Sequence, residues 1–226
     1  GPSYLDTRTL PKSPGLFLLD GDFKVKQRWD RIVDTVPCMD FWYQTGTKHP
    51  VLLSTSFAYP STFMKGFDPR ALEGKNGFGQ YFSGVRVWNW KDPSAEPDIV
   101  SLKDDGHGTL PIRFLHNPKH PQGYVGAVIS GTVWLLVDGL NGRFPHYAAR
   151  KVSEVEPVKV DGRDIRAMTA DMVISMDDKF LYLSNWLHGD VRQYDITNLG
   201  KPKLTGQIFL GGLLGKGVKH GDKKLW

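Results

Sequence analysis

The chain has 226 residues, 40% hydrophobic and 23% charged, which is enough apolar material for one large globular domain. Its formal charge of +5 is scattered, and part of it sits in a glycine-rich tail holding Lys216, Lys219, His220, Lys223 and Lys224, so a basic, aromatic-interleaved nucleic-acid face is excluded. One cysteine, Cys38, excludes a disulfide framework and points to a reducing, cytoplasmic compartment; no apolar run approaches the ~20 residues of a transmembrane segment.

In chain order, residues 1–12 read as a flexible end without signal-peptide character. "GLFLLDGDFKVKQRW" (15–29) reads as strand, turn and strand closing a preceding unit. Cys38, between Pro37 and "MDFWY", is expected to pack as a small hydrophobe. Three stretches then share one layout: "DFWYQTGTKHPVLLSTS" (40–56), "IRFLHNPKHPQGYVGAVIS" (112–130) and "DMVISMDDKFLYLSNWL" (171–187). Each is a short apolar run, a polar turn, and a second apolar run ending in small polar residues. Each leads, directly or after an insertion, to an alternating strand: "SGVRVWNWKD" (83–92), "GTVWLLVDG" (131–139) and "GDVRQYDIT" (189–197). "WNWKDPSAEPDIV" and "YDITNLGKPKLTGQIFL" supply further strand–turn–strand signals. Insertions are expected at 56–84, with a helical turn over 67–73 started by Pro69, and at 150–171. Residues 216–226 read as a second flexible end.

The repeating unit is about four antiparallel strands at a ~60–70-residue step, longer than the ~40–50 residues of an ordinary propeller blade. An open antiparallel sandwich explains the strands but not the repeated order of corners. The expected fold is all-β and β-propeller-like, a single partial domain over 1–226 with three to four antiparallel blades. Closed propellers use ~4–8 blades, so the chain is either a very small ring or about half of a larger one.

The series "DFWYQ", "GFDP", "VWNW", "VSLKD", "IRFLHNP", "MDDKFLYLSNWLHGDVRQYDI" and "PKLTGQIFLGG" closely resembles the selenium-binding protein family, whose members include methanethiol oxidases. The resemblance runs from about residue 13 to 215. It implies the middle of a seven-bladed propeller about twice this long. It further implies a cytosolic enzyme converting methanethiol, oxygen and water to hydrogen sulfide, formaldehyde and hydrogen peroxide, with copper and selenium as associated ligands. Two departures from the family pattern stand out. Ser54, Thr55, Ser56 and Phe57 replace a Ser-Thr-Glu-Trp run, and Pro111 stands where an acidic residue is expected. The family's early paired-histidine and cysteine segments and its late histidine segment have no counterpart here.

Within this frame His188 occupies the corner between the second and third strands of one blade. That is the rim from which innermost strands are entered and ligands approach the channel. An imidazole there suits copper; equally, it could cap the turn beside Asn185 and Asp190. His116, ending "IRFL", is the second metal candidate, although the end of an innermost strand faces the opposite rim. Asp171 is expected at an innermost-strand entrance facing the channel, where a carboxylate can orient a ligating histidine. Trp186 either walls a pocket for a small thiol or packs between blades. His49, His107, His120, His146 and His220 read as surface. The alternative to the enzyme is a non-catalytic propeller subunit or scaffold docking to a larger assembly, with a partner chain completing the ring.

Overall fold

Short apolar strands separated by Gly, Pro, Asn and Asp corners pair in the order they leave the sequence. In the computed structural model, which describes residues 16–28, 38–46, 50–58, 62, 66, 80–139 and 146–217, they form five antiparallel sheets. A hairpin pairs β1 (Phe17–Leu19) with β2 (Val25–Arg28). The first full blade is β3 (Phe41–Gln44), β4 (Val51–Thr55), β5 (Gly84–Asn89) and β6 (Asp98–Ser101). The second is β7 (Thr109–Phe114), β8 (Gly123–Ala127), β9 (Thr132–Gly139) and β10 (His146–Glu154). A small hairpin, β11 (Val158–Val160) with β12 (Arg163–Ile165), precedes the third. That third blade is β13 (Thr169–Ile174), β14 (Phe180–Asn185), β15 (Asp190–Asp195) and β16 (Lys203–Phe209).

The three full blades are meanders, each strand bonded to the next in sequence, as the repeat predicts. Period-two alternation sends the two faces of each blade to different neighbours. Val51, Leu53, Val85 and Val87 pack with Ile112, Phe114, Val125 and Leu136 between the first and second blades. Tyr124, Val133 and Leu135 pack with Met172, Leu181, Leu183 and Tyr194 between the second and third. On the other face of the first blade, Leu52 and Trp88 bury Leu16 and receive Cys38, which packs as a small apolar group. Each fully buried Leu, Ile or Val in these layers contributes roughly 1.5–3 kcal/mol, so blade-on-blade contact dominates the stability. The sheets stack face to face around converging first strands, with β7 touching both β3 and β13. The architecture is propeller-like and all-β.

One insertion is smaller than the sequence suggested. Residues 150–154 belong to β10, where Arg150, Lys151 and Glu154 pair with Leu135, Trp134 and Thr132. A charged outer-edge strand resembles a loop in composition because its solvent side carries the polar residues that protect an edge. The inserted element is therefore the β11–β12 hairpin. The helical turn expected over 67–73 lies outside the described residues, as do residues 1–12 and 218–226 of the two expected flexible ends. Lys216, at the start of the second, bridges to Gly211 and places its ammonium 5.2 Å from the centre of the Phe209 ring.

Candidate functional site

The corner Asn185–Asp190 is closed by backbone bonds from three directions. Gly189 N donates to Asn185 O at 2.8 Å, Trp186 N to Met168 O and Leu187 N to Ala167 O at 3.0 Å, and Leu213 N to Leu187 O at 2.8 Å. Gly189 adopts φ +66°, and a Cβ there would lie 2.2 Å from Gly212 N, so only glycine fits. The consequence for His188 is enclosure: it is 1% exposed. Its Nε2 lies 2.9 Å from the carbonyl of Ile165, the last residue of β12. A carbonyl only accepts, so Nε2 is the donor in this contact. The imidazole thus ties the β14–β15 corner to the inserted hairpin.

The polar residues around it sit on the face of the third blade that meets the second. Asn185 is buried and its Oδ1 accepts from Thr169 Oγ1 at 2.8 Å. Asp190, its ladder partner, accepts at Oδ2 from Arg192 Nε at 2.8 Å and from Gln207 Nε2. Burial pushes the Asp190 carboxyl up, but the hydrogen bonds from Arg192 and Gln207, with Asn185 close by and the Arg192 charge, hold it below the usual carboxylate range. Asn185 Nδ2 and Asp190 Oδ1 are buried without a bonded partner, yet they form a matched donor and acceptor on directly opposed residues. Trp186 is 59% exposed, so it is not buried between blades.

Asp171 stands just past a bulge in β13, and it meets an arginine rather than a histidine. Arg113 of β7 reaches Asp40, ahead of β3, with Nη1–Oδ2 at 2.6 Å, and Asp171 with Nη2–Oδ1 at 3.3 Å. Its guanidinium lies 4.8 Å from the centre of the Trp42 ring. One cation therefore bridges from the second blade's first strand to the segment ahead of β3 and to β13. Asp40 and Arg113 were not singled out by the sequence reading. The signal was present: "DFWYQ", "IRFLH" and "DMVIS" are equivalent first strands, and their early charges are of opposite sign.

His116 lies on the other rim. Its Nδ1 is 2.9 Å from Asp178 Oδ1, while its backbone N–H and that of Asn117 donate to the same carboxylate at 2.8 Å. Burial raises the Asp178 carboxyl, but these backbone and ring hydrogen bonds win and hold it low. Asp178 belongs to the β13–β14 turn and His188 to the β14–β15 corner, so the length of β14, about 20 Å at 3.3 Å per residue, separates the two histidines. Of the remaining histidines, His120 is exposed as expected. His107 is half-buried, its Nδ1 3.4 Å from Tyr81 O, because the Ser130 hydroxyl accepts its backbone N–H and draws it inward. His49, the His146 side chain and His220 lie outside the described residues. Ser54 accepts from Trp88 Nε1 at 2.8 Å, and Ser56, where the resemblance leads one to expect a glutamate, accepts from Arg86. Pro111 is buried in β7 beside Gly126.

A closed copper site needs three or more donors. Among the described residues no group of three or more His, Cys, Asp or Glu side chains is placed to hold a metal ion. His188 offers only Nδ1, and His116 is a strand length away. The described residues do not fit a copper centre.

The sequence model of the family described as "56kDa selenium binding protein (SBP56)" matches residues 3–225. The methanethiol oxidases of Xenopus laevis and Homo sapiens are each 43% identical over 208 residues, covering 90% of this chain and 42% of theirs. Selenium-binding protein 2 of Mus musculus is 41% identical over 207 residues, covering 88% of this chain and 41% of its own. The X-ray structure of a hypothetical selenium-binding protein from Sulfolobus tokodaii superposes with a TM-score of 0.73 at 29% identity, over 88% of this chain and 45% of that one. The chain thus spans about two-fifths of the length of the curated relatives it matches. With a family match running nearly end to end and the blade geometry to accompany it, the chain belongs to the 56 kDa selenium-binding protein family.

Proposed function

We propose that this chain supplies the central blades of a cytoplasmic methanethiol-oxidising propeller, converting methanethiol, oxygen and water to hydrogen sulfide, formaldehyde and hydrogen peroxide. The observation that carries the proposal is the 43% identity to methanethiol oxidases across 90% of the chain, which takes in all three full blades. The chain's own contribution is the wall formed by its first strands, where Arg113 reaches Asp40 and Asp171 on either side. Copper ligands come from outside the described residues. Selenium enters through the family; Cys38, half-buried, is the chain's single thiol. The reducing compartment rests on that cysteine count, and no helix among the described residues is long and apolar enough to cross a membrane.

The scaffold alternative has its own observation. Phe17, Leu18, Leu19, Val25, Phe41 and Tyr43 are exposed and line an apolar cleft of about 440 Å³ beside the two-stranded hairpin. Val173, Leu204 and Ile208 are exposed on the last blade. Such bare sheet faces suit a partner chain that completes the ring. A segment exchange decides between the two. This chain replaces the matching 208 residues of human methanethiol oxidase, and peroxide release from methanethiol is followed. The oxidase reading expects turnover in the exchanged protein and none from the isolated chain. A folded, soluble and inactive exchange overturns it in favour of the scaffold.

A further inference from the structure

Asp40 and Asp171 stand at the entrances of two equivalent first strands, and their carboxylates begin alike. Asp40 Oδ1 accepts the next backbone N–H, that of Phe41, at 2.9 Å, and Asp171 Oδ1 accepts that of Met172 at 2.8 Å. They differ at Oδ2. That of Asp40 is taken by the following blade, where Arg113 Nη1 donates to it at 2.6 Å and Ile112 N at 3.2 Å. That of Asp171 takes no hydrogen bond from the described residues, since the Arg113 contact at 3.3 Å is to Oδ1. The sheet behind it is bare on the same side. Met172, Leu181 and Leu183 pack towards the second blade, so alternation turns their neighbours the other way. On that far face Asp171 shares a row with Val191 and Ile208, and Val173 lies beside Tyr182. Val173 is 55% and Ile208 59% exposed.

We propose that this face seats a further blade of the ring, whose first strand carries an arginine donating to Asp171 Oδ2, with the backbone N–H before it as second donor. The template is the chain's own joint at Asp40. There the guanidinium also lies 4.8 Å from the centre of the Trp42 ring, two residues past the aspartate; the residue two past Asp171 is Val173, which the stem of the incoming arginine covers. A charge-assisted pair backed by an apolar face is what a blade joint needs. The curated relatives leave room for such blades, because this chain aligns with 42% of their length. A second copy of the chain fits poorly. Its own hairpin already lies on the rear of its first blade, where Leu16 is buried with Leu52 and Trp88. Its leading charge is Asp40, which sets acid against acid. The inference rests on reading the chain as part of a larger ring, and not on the reaction that ring performs.

The test compares the isolated 226-residue chain with the exchanged oxidase described above, in which blades follow the third. Carboxylates are labelled with glycine ethyl ester and a carbodiimide, and peptide mass spectrometry reads each site. Asp177, with its side chain 51% exposed on the opposite rim, is the internal reference. Both aspartates are labelled in the isolated chain. In the exchanged protein Asp171 is protected and Asp177 is not. Asp171→Lys lowers the Tm of the exchanged protein more than that of the isolated chain, and Asp171→Asn, which keeps an acceptor but no charge, gives a smaller difference. Equal labelling of Asp171 in the two proteins, or equal Tm losses from Asp171→Lys, overturns the proposal. So does protection of Asp171 in the isolated chain through self-association, which makes a second copy the occupant. Turnover is not read, so an inactive exchange with Asp171 protected removes the oxidase reading and leaves this joint standing.

Discussion

Replacing His188 by alanine separates a structural imidazole from a ligand. The ring is enclosed, and its Nε2–H···O bond to Ile165 anchors the β11–β12 hairpin. Removing it forfeits a net hydrogen bond of about 1 kcal/mol and leaves the carbonyl facing an emptied space. Large-to-small changes at sites this buried cost roughly 2–5 kcal/mol depending on how far the surroundings collapse. The corner is pinned by backbone bonds to residues 167, 168 and 213, so it collapses little, and the total is about 3–5 kcal/mol. For a protein of this size each kcal/mol lowers Tm by roughly 2–4 °C, giving a fall of about 6–20 °C. Calorimetry measures it, and hydrogen exchange localises it: protection falls first over Val158–Ile165. His188→Gln, which keeps a donor, recovers part of the loss. A metal ligand behaves otherwise, since its removal lowers metal content and spares the metal-free Tm. A His188→Ala protein melting within about 2 °C of the parent, with unchanged exchange over the hairpin, refutes the structural account.

Asp190→Asn breaks a buried pair and strands Arg192, so it costs about 3–5 kcal/mol, read as a lower urea midpoint. Its folded pKa lies below the unfolded value of about 3.9, so its contribution is present above that pH and disappears as pH falls through the folded value. Denaturation between pH 3 and 7 therefore loses an acid-side slope in Asp190→Asn. Arg113→Met costs about 1 kcal/mol, nearly all of it through Asp40; Asp171, with its side chain 60% exposed, contributes under about 0.5 kcal/mol in a double-mutant cycle. Gly189→Ala meets Gly212 N in a backbone region alanine avoids, and it yields little folded protein, whereas Gly21→Ala, with open space around it, leaves Tm nearly unchanged.

Much of this arrangement was legible in residue order. The three layouts became three meanders because period-two alternation and Gly/Asn/Asp corners are local, and they survive folding unchanged. The placement of His188 at a second-to-third corner was legible for the same reason. Its burial was not. That depends on Met168, Ile165 and Leu213 reaching the corner from segments some 20 residues before and after it, and no local pattern encodes such a meeting. His107 was misjudged likewise: its Gly-rich surroundings suggest surface, but Ser130 accepts its N–H from 23 residues away. Arg113 carries no local signal, because a lone Arg in an apolar strand looks like an ordinary solvent-facing residue. Only when the first strands are set side by side do Asp40 and Asp171 appear on either side of it.

The two rims then differ in how their polar groups are satisfied. Around His188 nearly every donor has an acceptor within the chain, and the two unbonded atoms, Asn185 Nδ2 and Asp190 Oδ1, are complementary neighbours. A network closed on itself holds blades in register and offers little to a ligand. Around His116 the bonding converges on one carboxylate: Asp178 takes the ring Nδ1 and the backbone N–H groups of His116 and Asn117, and the ring is otherwise exposed. The histidine most prominent in the sequence is thus enclosed in the frame, whereas His116 stays at the exposed end of β7, held by Asp178.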